Sequence, residues 1–225
     1  TSVVFAKPEG MVFVASPGIS NASIMLLPRN GASWGPEQTM VKAANDSENN
    51  YYPAFSPDGG WIIFNRSAQH DSYLAPDSMV MVVPGKGGSA VAMSRANVSD
   101  QVGNSWPKWA PFKQCNRGKR LLWFTFSSAR DYGVRIINST IVPEPDAGDK
   151  RKWQIWMAAF DPEKAANGQD GSYPAFWLPF QDPDSGNHIA QWTEKVVRNP
   201  CVDDSQCPST PNQKMICKGN ECVPQ

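Results

Sequence analysis

The chain has 225 residues, with 21 Lys+Arg against 21 Asp+Glu. Its formal charge is therefore zero, and it lacks the cationic surplus that would displace counterions from a nucleic acid. Nine Trp, ten Phe and five Tyr supply a core, while 20 Pro and 17 Gly interrupt the chain too often for long helices. No stretch of about 18 apolar residues exists to span a membrane as a helix.

At the N-terminus, Thr1–Ser16 has neither the basic n-region nor the continuous apolar h-region of a signal peptide. Any signal has therefore been removed, or the chain begins inside a larger precursor. Thr1 would be an N-terminal nucleophile only if processing creates it, and an ordinary chain terminus is the commoner reading.

The order of elements repeats. A first unit, about residues 1–48, runs Phe5-Ala6-Lys7-Pro8-Glu9-Gly10-Met11-Val12-Phe13, then Ser23–Leu27, then Gln38–Val41. A second, about 49–100, opens on Tyr52-Pro53-Ala54-Phe55 and continues through Ser56-Pro57-Asp58-Gly59 to Trp61–Phe64, Met79–Val83 and Ser89–Met93. A third, about 101–170, opens on Trp106-Pro107-Lys108-Trp109 and leads to Leu121–Phe124 and Trp153–Met157, with 138–152 and 162–172 read as loop insertions. The same aromatic-Pro signature at Tyr173-Pro174-Ala175-Phe176 predicts a fourth unit over 171–198, whose next strand is Ile189–Trp192.

Each unit has the pattern of an antiparallel meander. Pro removes a ladder donor and is confined to strand starts and bulges. Asp-Gly between apolar runs favours a tight hairpin, because the turn needs positive φ. Four short strands recurring at this period mark the blades of a propeller. The predicted fold is all-β: a partial β-propeller of four-stranded antiparallel blades, about three and a half of them, followed by a disulfide-stapled tail.

The Pro-x-Phe-Ser-Pro-Asp-Gly-x-x-Ile-x-Phe run at 53–64 resembles the repeat of TolB-like β-propellers, and the likeness extends loosely over about residues 1–197. It departs from that pattern at Glu9-Gly10, at the loop containing Cys115, and at Gln181–Gly186. The resemblance implies a propeller whose last blade is completed by an N-terminal segment or a second chain.

Phe55, Trp109 and Phe176 are expected in the core between stacked units. Tyr52, Trp106 and Tyr173 alternate to the opposite face and are the candidate ligand or partner contacts. Asp58 is expected to serve its own turn. Asp182, Asp184 and Asn187 retain only a fragment of a calcium loop, and no Glu closes it. The expectation is thus no metal and no cofactor, with calcium at that fragment as the alternative.

Catalytic signatures are missing. His70 and His188 lie in separate loops with no Gly-x-Ser-x-Gly elbow, and His-Glu-x-x-His does not occur. The sequons at Asn21, Asn45, Asn65, Asn97 and Asn138 would matter only along a eukaryotic secretory route.

The tail, 199–225, holds Cys201, Cys207, Cys217 and Cys222 at a spacing that suits disulfides better than zinc. Of the three possible pairings, Cys201–Cys217 with Cys207–Cys222 constrains the most chain in a segment with little core. Cys115 stands apart.

Disulfides imply an extracytoplasmic location: periplasmic, cell-surface or secreted. Together these features point to a non-catalytic module that binds a protein or peptide, within a larger polypeptide or complex, with no nucleic-acid partner and no transmembrane segment. Two alternatives stand beside it. One is the gating propeller of a secreted hydrolase of the prolyl-oligopeptidase type, and the other is a structural subunit of an extracellular assembly.

Overall fold

The computed structural model describes residues 3–7, 10–16, 20–68, 72–98, 102–116, 118–131, 153–182, 185–193, 203–207, 209–211, 213–218 and 221–225. Thr1, His70, Asn138, Asp184, Cys201 and the expected loop 138–152 lie outside them. The chain divides into two compact units, Thr1–Trp192 and Thr193–Gln225. No helix among the described residues is long and apolar enough to cross a membrane.

The described residues of the first unit form three antiparallel sheets in chain order, with one short helix. Sheet I contains β1 (Val3–Lys7), β2 (Gly10–Ala15), β3 (Ser23–Asn30), β4 (Ser33–Trp34) and β5 (Gln38–Val41). Sheet II is β6 (Asn49–Phe55), β7 (Trp61–Ser67), β8 (Met79–Pro84) and β9 (Val91–Ala92), paired in sequence order. Sheet III is β10 (Ser105–Asn116), β11 (Lys119–Ser128), β12 (Gln154–Phe160) and β13 (Phe176–Trp177), also in sequence order.

Alternation along β7 explains why the sheets stack. Ile62 and Phe64 face sheet I, where they pack in one core with Val12, Val14, Ile24 and Leu26. Trp61 and Ile63 face sheet III, in a second core with Trp109, Phe124, Phe126, Trp156 and Phe160. A strand buried on both faces reads as a continuous apolar run, which is what Trp61–Phe64 shows. The turn before it works through Gly59 at φ 70°, a value that side chains resist. Asp58 holds that turn: its Oδ1 accepts from Ser56 Oγ at 2.5 Å and from Gly60 N at 3.1 Å.

Two expectations need correction here. The segment after Asp161, read as a loop, contains helix α1 (Pro162–Ala166). Asp161 caps it, accepting from Glu163 N and Lys164 N, and Pro occupies the first turn, where its missing N–H costs nothing. The Tyr173-Pro174-Ala175-Phe176 segment does not open a fourth unit. It leads into β13, which pairs with β12 through Met157↔Phe176 and Trp156↔Trp177 as the outer strand of sheet III. Phe176 is accordingly 44% exposed rather than in the core, whereas Phe55 and Trp109 are buried.

The second unit holds a 3-10 turn at Asp204–Gln206 and the hairpin β14 (Met215–Lys218) with β15 (Glu221–Pro224). The predicted Cys207–Cys222 disulfide is present, with Cα atoms 5.4 Å apart. Cys217 is also disulfide-bonded. Its expected partner, Cys201, lies outside the described residues.

Candidate functional site

The site is built from three equivalent chain entries. The main-chain N–H of Asn50 donates to Ala22 O at 3.1 Å, that of Asn104 to Ser78 O at 2.9 Å, and that of Asn187 to Trp153 O at 2.7 Å. Each acceptor is the residue just before the third strand of the previous sheet: β3, β8 or β12. Two residues on, Tyr52, Trp106 and Ile189 have φ of 54°, 52° and 61°. Left-handed backbone at a large side chain costs about 1–3 kcal/mol and persists only where neighbours hold it. Here Trp106 N donates to Asn65 Oδ1 at 2.6 Å, and Ile189 N to the matching Ser127 Oγ at 3.3 Å. The ladder shifts register between Tyr51 and Ala54 and between Ser105 and Lys108, so Pro53 and Pro107 sit in bulges where no donor is needed. Ile189–Trp192, expected as a later strand, belong instead to a segment that repeats this entry from Asn187.

An arginine braces each of the first two entries. Arg66 Nε donates to Asn50 Oδ1 at 3.0 Å and pairs with Glu48 at 3.2 Å. Arg130 Nη2 donates to Asn104 Oδ1 and to Ala96 O, and the guanidinium lies 5.0 Å from the Phe126 ring and 4.9 Å from Trp156. Arg130 is only 5% exposed, and burial pushes its pKa down to about 10. It remains charged at neutral pH, compensated by carbonyls and ring faces.

Two of the three candidate contact residues come together. Tyr52 and Trp106 stack with centroids 3.9 Å apart, a direct consequence of their equivalent strained positions on neighbouring sheets. The ring contacts continue from Trp106 edge-to-face onto Tyr73 at 5.7 Å, from Tyr73 stacked on His188 at 4.3 Å, and from His188 tilted against Trp153 at 5.0 Å. Gly103, at φ 59°, makes room for it, since a Cβ there would lie 2.4 Å from the Trp153 ring. Burial lowers the His188 pKa to about 4 against a weaker opposing effect of the Tyr73 main chain, so the imidazole is neutral at pH 7. Tyr173 is elsewhere: its ring lies 4.7 Å beneath Lys164 of α1.

Beside the stack lies a cleft of about 270 Å³ between the entries. Ala54, Phe55 and Pro57 line it from sheet II; Lys108, Trp109, Ala110 and Pro111 from sheet III; and Ala190, Gln191 and Trp192 from the third entry. The tryptophan N–H groups are already used, Trp109 Nε1 on Ala54 O at 3.2 Å and Trp192 Nε1 on Thr125 Oγ1 at 3.0 Å. Their rings are left as an apolar wall. Lys108 is the single charged residue of the lining, half-buried, with Nζ 5.9 Å from the Trp106 centroid; burial lowers its pKa. A second cleft, at Glu48, Arg66, Ser67 and Asp77, is lined by groups that satisfy one another.

The remaining sequence candidates take structural places. Asp182 Oδ2 accepts from Ser185 Oγ at 2.7 Å, and Asn187 turns its Nδ2 toward Asp182 O at 2.8 Å, a donor where a cation would need an oxygen. Among the described residues no group of three or more His, Cys, Asp or Glu could hold a metal ion. Asn65 is fully buried, its Nδ2 donating to Met79 O at 3.2 Å and to Asn104 O, so that sequon is closed to modification in the fold.

Sequence reasoning missed Arg130 and His188 as neighbours of the aromatic contacts. A findable signal existed: an Asn two residues before each of Tyr52, Trp106 and Ile189, at 50, 104 and 187. No protein-family model and no curated protein matches the chain.

Proposed function

We propose that the first unit is a run of propeller-type blades acting as a non-catalytic protein- or peptide-binding module outside the cytosol, within a larger polypeptide or complex. The observation that carries this is the cleft formed where three successive entries lie side by side, walled by Phe55, Trp109 and Trp192 with one lysine. Small-molecule and peptide sites have this composition: mostly apolar and aromatic, with few polar groups to orient the ligand. The face-to-face stacking of sheets I–III through two cores, and the entry geometry repeated at 50–55, 104–109 and 187–192, support the blade assignment. The Cys207–Cys222 bridge supports an oxidising compartment.

The test is selection of peptides from a random phage-displayed library on the full chain, followed by binding to two variants. Gln191 is exposed and lines the cleft, so Gln191→Trp should plug it and abolish binding. Tyr173→Ala, on the far edge of sheet III, should leave binding unchanged. Peptides that bind the plugged variant as well as the parent would overturn the proposal.

A further inference from the structure

We infer that Asn30 is a site of uncatalysed covalent modification, in which the Gly31 main-chain nitrogen attacks the Asn30 side-chain amide and converts it to an acid. The inference stands on the β3–β4 hairpin and makes no use of the cleft.

The step needs only water. The Gly31 N–H adds to Asn30 Cγ, the carboxamide C–N bond breaks, and its nitrogen leaves with the transferred proton as ammonia. Water then opens the cyclic imide at one of two C–N bonds. Cleavage at Cγ restores the ordinary main chain with aspartate at position 30. Cleavage at the original peptide carbon leaves the chain running through Cγ, as isoaspartate. Nothing is oxidised or reduced. Glycine favours the attack because no Cβ obstructs the approach of its nitrogen.

Four Asn-Gly or Asp-Gly pairs lie among the described residues, at 30–31, 58–59, 167–168 and 170–171. Three are locked. Asp58 Oδ1 is held by Ser56 Oγ and Gly60 N, and Gly59 N donates to Ser56 O at 2.9 Å. At the end of α1, Asn167 Nδ2 donates to Glu163 O at 2.9 Å and Gly168 N to Ala165 O at 3.0 Å, so both reacting groups are committed. Asp170 is held at both oxygens, by Ser172 N at 2.8 Å and by Arg95 N at 3.0 Å.

Asn30-Gly31 differs in every respect. Among the described residues neither the Asn30 side-chain amide nor the Gly31 N–H has a hydrogen-bond partner. The bonds at this turn go to carbonyls instead, Ser33 Oγ to Asn30 O at 2.9 Å and Arg29 Nε to Gly31 O at 3.1 Å. Both residues are exposed, and a Cβ on Gly31 would meet nothing within 4 Å. Asn30 has to leave its extended conformation before the nitrogen can reach Cγ. That opening is cheap here, because β4 is two exposed residues paired only through Arg29↔Trp34 and Asn30↔Ser33. The product then acts on the same hairpin: isoaspartate adds a main-chain atom inside that register and releases Trp34, already 47% exposed.

The experiment is incubation of the full chain in mildly alkaline buffer, folded and in urea, followed by tryptic peptide mapping with mass spectrometry. Cleavage after Lys and Arg places Asn30 on peptide 30–42 and Asn167 on peptide 165–195, so each site is read separately. In the folded chain Asn30 is expected to convert about tenfold faster than Asn167 or more, and in urea the two rates should converge. Two isobaric products, aspartate and isoaspartate, are expected at position 30. Gly31→Ala should slow the conversion, and the parent's own Asn30-to-Asn167 ratio tests the inference even if that variant misfolds. Equal rates at the two sites in the folded chain, or conversion of Asn30 only in urea, overturn the inference. Aspartate as the sole product overturns it as well, since direct hydrolysis by water would then account for the change.

Discussion

Tyr-Pro-Ala-Phe occurs twice in this chain, at 52–55 and at 173–176, and the two copies do opposite things. In the first, Tyr52 is left-handed, Pro53 sits in a bulge and Phe55 is 5% exposed between sheets I and II. In the second, the segment follows the end of β12: Asp161 N donates to Gly171 O at 2.8 Å, Tyr173 N to Ala159 O at 2.9 Å, and Phe176 lies 44% exposed on an outer strand. The tetrapeptide does not decide; the residue two positions before it does. Asn50 latches the first copy onto the preceding sheet with its main chain and again with its side chain, Nδ2 to Ala22 O at 3.0 Å. At the equivalent place the second copy has Gly171, where a Cβ would meet Asp161 O at 2.5 Å, so no latching side chain fits.

The sharpest way to break this comparison is to truncate the matching phenylalanines. Phe55→Ala removes a ring from the core between sheets I and II and is expected to cost about 3–4 kcal/mol, the usual range for a buried aromatic. Phe176→Ala removes an exposed ring whose nearest ring partner is Trp123 at 6.2 Å, and should cost about 1 kcal/mol or less. Urea unfolding of the two variants beside the parent measures both. Similar losses would mean that the two copies are energetically equivalent, contrary to their burial.

The latches themselves differ in the same direction. Asn104→Ala strips the buried Arg130 of its Asn104 Oδ1 acceptor in a site where a lost charged hydrogen bond costs about 2–3 kcal/mol. Asn50→Ala leaves Arg66 still paired with Glu48 and partly solvated, so about 1 kcal/mol is expected. A double-mutant cycle with Arg130→Met checks the cause: the two losses should overlap strongly at Asn104–Arg130. Additive losses would show that the arginine does not depend on the latch.

The sequence makes the hairpins, the apolar strands and the cysteine tail legible, because those depend on neighbours in the chain. Asp58-Gly59 between apolar runs has one good local solution, and β7 follows it as expected. The second Tyr-Pro-Ala-Phe is illegible by tetrapeptide alone, since register is settled by which strand edge is free when the segment arrives. His188 reads as a loop histidine because its ring partners Tyr73 and Trp153 are remote in sequence and meet it only when sheets II and III stack. Of the three aromatic contacts proposed from alternation, Tyr52 and Trp106 share a surface because both follow a latching Asn; Tyr173 does not follow one and is apart. Helix α1 was signposted by Asp161-Pro162-Glu163, a cap, a first-turn proline and an acidic residue, but five residues leave no periodicity to detect.

The third entry differs from the other two in carrying an imidazole, a ring that takes up a proton in acid, and acid should separate it from them. His188 has a folded pKa of about 4 against about 6.5 in an unfolded chain, so the fold prefers the neutral imidazole. The unfolded state binds a proton first as pH falls, and stability is therefore full above pH 6.5 and declines from there toward pH 4. The complete shift would correspond to about 3.4 kcal/mol, but the ring is only partly buried, and solvent screening brings the expected loss to about 1–2 kcal/mol. Protonation leaves a poorly solvated cation at His188, between Tyr73 and Trp153 where residues 187–192 pack on sheet III. His188→Phe keeps a ring in that place without a titrating group. Its stability should therefore lack the decline over pH 6.5 to 4 that remains when the parent's other groups are subtracted. Hydrogen exchange at pH 4.5 gives the location: the Asn187 and Ile189 amides, which bond Trp153 O and Ser127 Oγ, should lose protection in the parent but not in His188→Phe. The Tyr173 amide, bonded to Ala159 O at the other Tyr-Pro-Ala-Phe copy, should stay protected in both. If Tyr173 opens together with Ile189, the two segments form one cooperative unit and the entry at 187–192 is not a separable element.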